Sequence, residues 1–217
     1  MDAGPFRASV AGNILHSRRF LIVFALLAGV FSPIAALSSH AKDTNAEGFL
    51  ALTILNDDMK IGQYFAGNAT TIAQEENVNW YLKVQNGMDK SEFINIKVKL
   101  LNSTGQGPDD LSNTPSPEQE IISFTQVLPP GSTWITPLNW TVDKTEVQNG
   151  QVFIKRVTMN NKVIDNLDIG SVDGKNFRIL VELWRYDTDI KDFTFVWPSS
   201  LNETRSVWNQ IWFNIKS

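Results

Sequence analysis

From Gly48 onward, apolar and polar residues alternate with period two, and turn-forming residues interrupt the alternation every ten positions or so. Successive side chains of a strand point to opposite faces, so each such run can bury one face and wet the other. Val78, Trp80, Leu82 and Val84 share one phase, with Asn79, Tyr81 and Lys83 on the other. Ile94, Ile96, Val98 and Leu100 alternate likewise against Asn95, Lys97 and Lys99. Further strands are expected at 49–55, 70–72, 121–128 and 134–142, the last with Leu138, Trp140 and Val142 on one phase. Asn160-Asn161 suits a tight hairpin turn between runs at 152–158 and 162–164. Phe177, Ile179, Val181 and Leu183 alternate in FRILVELWRYD, and Val207, Ile211, Phe213 and Ile215 close the chain.

Residues 103–120 are rich in Ser, Pro, Gly and acid, and Pro108, Pro115 and Pro117 forbid a regular ladder. A long mobile loop is expected there. Apart from one turn of helix around 200–207, the chain after residue 48 shows no 3.6-residue periodicity of any length. Eight or nine short strands without crossover helices predict an all-β fold: an antiparallel two-sheet sandwich of immunoglobulin-like type.

A different feature governs the first 47 residues. Residues 20–37, FLIVFALLAGVFSPIAAL, carry no charge and follow Arg18-Arg19. At about 1.5 Å per residue they reach nearly across the ~30 Å of bilayer hydrocarbon. Arg7, Arg18 and Arg19 lie before the run and Lys42, Asp43 and Glu47 after it, a bias that holds the amino end inside and sends the rest out. Two readings remain. The segment is a retained signal anchor, with residues 1–19 cytoplasmic, 20–39 in the membrane and 48–217 an extracytoplasmic domain. Alternatively it is a signal peptide, with Pro33 breaking its helix and Ser39-His40-Ala41 offering a cleavage site near 41. A nineteen-residue leader is long for a cleaved signal, which favours the anchor.

The chain has no cysteine, and its two histidines, His16 and His40, flank the apolar run. The outer domain therefore lacks disulfides and thiol or imidazole nucleophiles, and it has no ligands for the common zinc, copper or iron sites. No cofactor is expected and no enzyme. The net charge is −4, and the acidic excess grows once the arginine-bearing leader is set aside. A nucleic-acid partner needs a basic footprint that is missing here.

Four sequons are present, at Asn68, Asn102, Asn139 and Asn202; Asn113 fails because Pro115 takes the hydroxyl position. Asn139, beside Trp140 in an expected strand, is the least suited to carry a glycan. Of seven tryptophans, Trp80 and Trp140 fall on core phases. Trp184, Trp208 and Trp212 fall opposite the main apolar set of their strands. They fit a partner surface, a sugar platform, or a second buried face under a loop. The acid clusters at 56–58, 165–173 and 187–192 lack EF-hand spacing and read as solvated turns.

Five stretches carry a family resemblance: FLALTILNDD, the Asn68 sequon, NVNWYLKVQNGM, LPPGSTWITPLNW and FRILVELWRYD. Through them residues 49–216 resemble the archaeal family called domain of unknown function 1616. The resemblance implies a membrane-tethered, externally exposed β-domain of archaeal origin, without catalytic residues to carry over. Such proteins often have several apolar helices before the soluble part, whereas this chain has one apolar segment. The expected protein is single-pass, held in lipid by its amino-terminal helix. Its outer domain would act as a binding or structural accessory to the cell envelope or a membrane complex, through a protein partner. The alternative is a carbohydrate-binding module on envelope glycans.

Overall fold

Fourteen strands follow one another along the described chain: β1 (Leu50–Leu55), β2 (Thr71–Ile72), β3 (Val78–Asn86), β4 (Glu92–Leu101), β5 (Glu120–Leu128), β6 (Thr133–Gln148), β7 (Gln151–Met159), β8 (Lys162–Ile164), β9 (Ile169–Val172), β10 (Phe177–Asp187), β11 (Asp192–Thr194), β12 (Trp197–Pro198), β13 (Thr204–Arg205) and β14 (Val207–Ile215). The computed structural model describes residues 48–198 and 204–216. The apolar run at 20–37 and the Asn202 sequon lie outside the described residues, as does the side chain of Asn68.

The fold is all-β and built from two sheets. The first runs β1-β3-β6-β7-β8, with β9 also on β7; the second runs β2-β14-β10-β4-β5, with β11 also on β10. β12 and β13 form a separate two-stranded ladder. Pairing is antiparallel except between β2 and β14, which run parallel over Asn214↔Thr71 and Ile215↔Ile72. The expectation of a wholly antiparallel sandwich is corrected at that two-residue edge.

The expected phases face inward. Trp80, Leu82 and Val84 of β3, Ile94, Ile96 and Val98 of β4, and Phe177, Ile179, Val181 and Leu183 of β10 are completely buried in one apolar core. Aromatic rings join the sheets at its centre. Trp80 meets Trp140 edge-on at 5.2 Å, Trp140 meets Phe213 at 5.0 Å, and Phe213 stacks on Phe177 at 5.8 Å. The Trp80 indole N–H donates to the Tyr64 carbonyl at 2.7 Å, so its polar end is not stranded in the core.

Three local features depart from plain alternation. β6 continues well past Val142, because Asn149 and Gly150, at φ 51° and 73°, supply a two-residue turn straight into β7. A register shift between Val142 and Thr145 moves the buried set of β7 from Val152 and Ile154 to Val157 and Met159. A second shift opposite Val98 and Lys99 leaves Ile121 without a partner, beside Ile122. The Asn160-Asn161 turn forms as expected, with φ 46° and 64°. Residues 204–205 and 207 are extended rather than helical, since they pair into β13 and β14.

Gly174 ties the start of β10 to the end of β14. Its φ is +67°, and a Cβ there would lie 2.6 Å from the Ile215 carbonyl oxygen. Gly62 has a φ of +90° but open space around it. Gly174→Ala is therefore expected to lower stability by about 1–3 kcal/mol, and more than Gly62→Ala does, because only the first adds a backbone clash to the strain. Urea unfolding of the two variants checks this.

Candidate functional site

The second sheet has an outer face as organised as its inner one. Its strands place Arg178, Leu180, Glu182 and Trp184 of β10 on that face, between β4 and β14. Register sets them in rows: Leu101–Arg178–Trp212, Lys99–Leu180–Gln210, Lys97–Glu182–Trp208, and Asn95 beside Trp184. In a one-sided sheet these positions would be wet. Instead Leu180 and Glu182 are wholly buried, and Leu101 and Lys99 nearly so.

Residues 102–119 cover them. The segment expected to be a mobile loop, which indeed forms no strand, is fastened across the sheet by hydrogen bonds from its backbone. Lys99 Nζ lies 3.0 Å from Glu182 Oε2 and donates to the Ser116 carbonyl at 2.5 Å. Glu182 Oε1 accepts the Ser116 N–H at 2.8 Å, and its Oε2 accepts the Trp184 indole N–H at 3.0 Å. Pro115 and Pro117 flank Ser116 and restrict its backbone on both sides. Further along, Arg178 Nη2 donates to the Gly105 carbonyl at 2.7 Å, and the Trp208 indole donates to Asp110 at 2.7 Å. Asn113 Nδ2 donates to the Thr204 hydroxyl at 2.8 Å.

The three tryptophans lie on this one face in different states. Trp184 is half-buried, with Lys97 Nζ 3.6 Å above its ring and Phe195 at 5.7 Å. Trp208 is half-buried and anchored by Asp110. Trp212 is 40% exposed. The Arg178 guanidinium stacks 4.7 Å from the Trp212 ring and donates to Gln210 Oε1 at 2.7 Å. Burial holds the Arg178 guanidinium below its ordinary basicity, against a smaller opposing effect of Glu118. Trp184 and Trp208 are thus half-buried on this face, and Trp212 is exposed.

The sequons also differ. The Asn102 amide donates to the Gly170 carbonyl at 2.5 Å, and its oxygen accepts the N–H groups of Thr104 and Gly105. Asn139, which the sequence ranks lowest, is exposed on the outer face of the first sheet, since its neighbours Leu138 and Trp140 take the inward positions. Asn68 ends a short 3-10 turn.

The acid clusters resolve into turns and ion pairs. Asp165 pairs with Arg156 and Asp168 with Lys155, while Asp187 accepts the Asp189 N–H at 2.8 Å. A cleft of about 490 Å³ lies by the other cluster, lined by Asn56, Asp57, Asp58, Gln63 and Glu76 among others. Among the described residues no group of three or more His, Asp or Glu side chains is placed to hold a metal ion. Among them no helix is long and apolar enough to cross a membrane.

No protein-family model matches the chain, and no curated protein is similar to it in sequence. Solved structures align with it only weakly. The CARDB domain of the PF1109 protein from Pyrococcus furiosus, solved with di-metal ions, aligns at TM-score 0.34 and 10% identity, over 78% of this chain and 90% of that one. Spo0M, a sporulation control protein from Bacillus subtilis, aligns at 0.34 and 11%, over 77% of this chain and 49% of that one. A beta-glucosidase from Listeria innocua aligns at 0.37 and 9%, over 78% of this chain and only 16% of the enzyme.

Two outcomes follow from the covered face. Replacing one member of the buried pair strands the other, so Lys99→Met or Glu182→Leu is expected to destabilise by about 3–5 kcal/mol. The double replacement, apolar on both sides, should recover a large part of that loss; a double-mutant cycle in urea measures it. The second outcome concerns Asp109, whose carboxyl is held below the usual carboxylate range by the Ser112 hydroxyl and the N–H groups of Leu111 and Ser112. A depressed folded pKa gives stability that is complete above the unfolded value near ~4 and is lost as pH falls through the folded one. Hydrogen-exchange protection at Leu111 and Ser112 should therefore drop in acid, and should be insensitive to acid in Asp109→Asn.

Proposed function

We propose that this chain is a membrane-anchored, extracytoplasmic β-sandwich that works by binding, as an accessory subunit of the cell envelope or of a membrane complex, without catalysis. Trp212 carries the reading. It is a large ring left 40% exposed on a rigid three-strand row and backed by a guanidinium that is itself fixed by Gln210 and Gly105. A ring already held in place loses little freedom on contact, which is the property of an interface anchor. The uncharged run at 20–37 supports the anchor and the outward orientation. The lack of cysteine, and of histidine beyond residue 40, supports the absence of catalysis.

A second reading has its own observation. Trp208 and Trp212 sit on the same face of β14, four residues apart, with Gln210 between them. Flat rings with amide and acid groups beside them suit stacking on sugars of an envelope glycan.

The full-length chain extracted in detergent from a membrane fraction, with and without Trp212→Ala, tests both. The expected result is an envelope protein co-purifying in fixed stoichiometry with the native chain and about tenfold less with the variant, at unchanged circular dichroism and Tm. Native protein that purifies alone overturns the subunit reading. Trp212-dependent retention on envelope polysaccharide would then select the glycan instead.

A further inference from the structure

We infer that Asn139 carries an N-linked glycan and that Asn102 stays bare. The inference rests on the extracytoplasmic reading above, since only an exported sequon meets the sugar donor. In the transfer, the Asn139 amide nitrogen bonds C1 of a sugar presented on a lipid phosphate. The C1–O bond to that phosphate breaks, the phosphate leaves with the electron pair, and the amide releases one proton. The hydroxyl two residues on, at Thr141, completes the motif that a transferase reads.

The Asn139 backbone is fixed and its side chain is free. Its N–H donates to Asn160 Oδ1 at 2.7 Å, and its carbonyl accepts the Asn160 N–H at 2.8 Å. The side-chain amide is exposed and makes no hydrogen bond among the described residues, so a substituent on it displaces nothing. Period two puts Thr141 on the same outward face while Trp140 between them fills an inward position. Amide and hydroxyl therefore stand on one surface, and that surface is polar and open. Asn79 faces Asn139 from β3 and is exposed, and Asp143 accepts the hydroxyls of Thr141 and Thr158 at 2.6 Å each.

Asn102 is the reverse case. Its Nδ2 donates to the Gly170 carbonyl at 2.5 Å. Its Oδ1 accepts the Thr104 N–H at 3.0 Å, the Thr104 hydroxyl at 2.9 Å and the Gly105 N–H at 2.9 Å. A glycosylated amide, like a trans peptide, sets its substituent on the same side as its oxygen. On that side of Asn102 lies the Thr104-Gly105 turn, where the segment that covers the second sheet begins. A sugar there costs the turn, whether it arrives before or after folding; at Asn139 it costs no contact. The glycan stands on the outer face of the first sheet and leaves Trp212, on the second, open to the contact proposed above.

The test is mass spectrometry of the full-length chain from its native membrane fraction. Glu118 and Glu120 lie between the two sequons, so a glutamate-specific protease separates them. The fragment beginning at Ile121 should carry sugar-sized mass increments in most copies, and the fragment holding Asn102 none. Asn139→Gln and Thr141→Val should abolish the increment and Thr141→Ser should keep it, all with unchanged circular dichroism. Sugar on Asn68 or Asn202 with Asn139 bare overturns the inference and leaves export standing. Sugar on Asn102 overturns it as well. So do four bare sequons, and if the domain is then also shielded from protease added to intact cells, the extracytoplasmic reading falls with it.

Discussion

The buried pair of Lys99 and Glu182 is the contact on which the second half of the molecule depends. Two charges removed from water are tolerated only when their remaining hydrogen-bonding capacity is met. Here the peptide unit of Ser116 meets it from both ends, its carbonyl taking the ammonium and its N–H the carboxylate. The pair cannot be satisfied without the segment 102–119, and that segment has no ladder of its own to hold it. Sheet and cover therefore stabilise each other, and Trp184 and Trp208 are fixed in the same act through Glu182 and Asp110.

This arrangement gives the molecule two layers of order. The inner layer is an apolar core between two sheets, held by burial and by interlocking rings. The outer layer is polar and directional: a lysine, two arginine contacts, and indole N–H groups each aimed at an acid or a carbonyl. Trp212 lies where the second layer ends. It has the support of the layer beneath and none of the cover, which is why its ring is both rigid and open to water.

Inner faces were legible because period two is a physical property of strands. Trp80, Ile96 and Ile179 could be assigned inward from spacing alone, and Asn160-Asn161 announced its turn by residue type. The overrun of β6 is less visible, because its last buried residue is Val142 and the Asn149-Gly150 turn lies well beyond it. The cover over the second sheet was hidden for another reason. A Ser- and Pro-rich segment reads as irregular, and irregular it is; but its fastening comes from single backbone groups meeting side chains as far as 73 residues away. One signal was present. FRILVELW is apolar on both phases, as strands buried on both faces are, and Leu180 in the polar phase marked a covered face. Asn139 faces outward for the same reason, since its neighbour Trp140 takes the inward position.

The strand order also has a consequence in time. Every strand of the first sheet is complete once residue 172 has left the ribosome, but β10, the centre of the second, comes after it, and β14 comes last. Until β10 arrives, β4 and β5 form only a two-stranded hairpin, marginal by itself. The carboxylate that Lys99 needs lies 83 residues downstream of it. The outer layer is thus a late event of high contact order, closed by the carboxyl-terminal strands. A chain cut short before β10 would present a finished first sheet, an unsheathed apolar face, and a loop with nothing to fasten to.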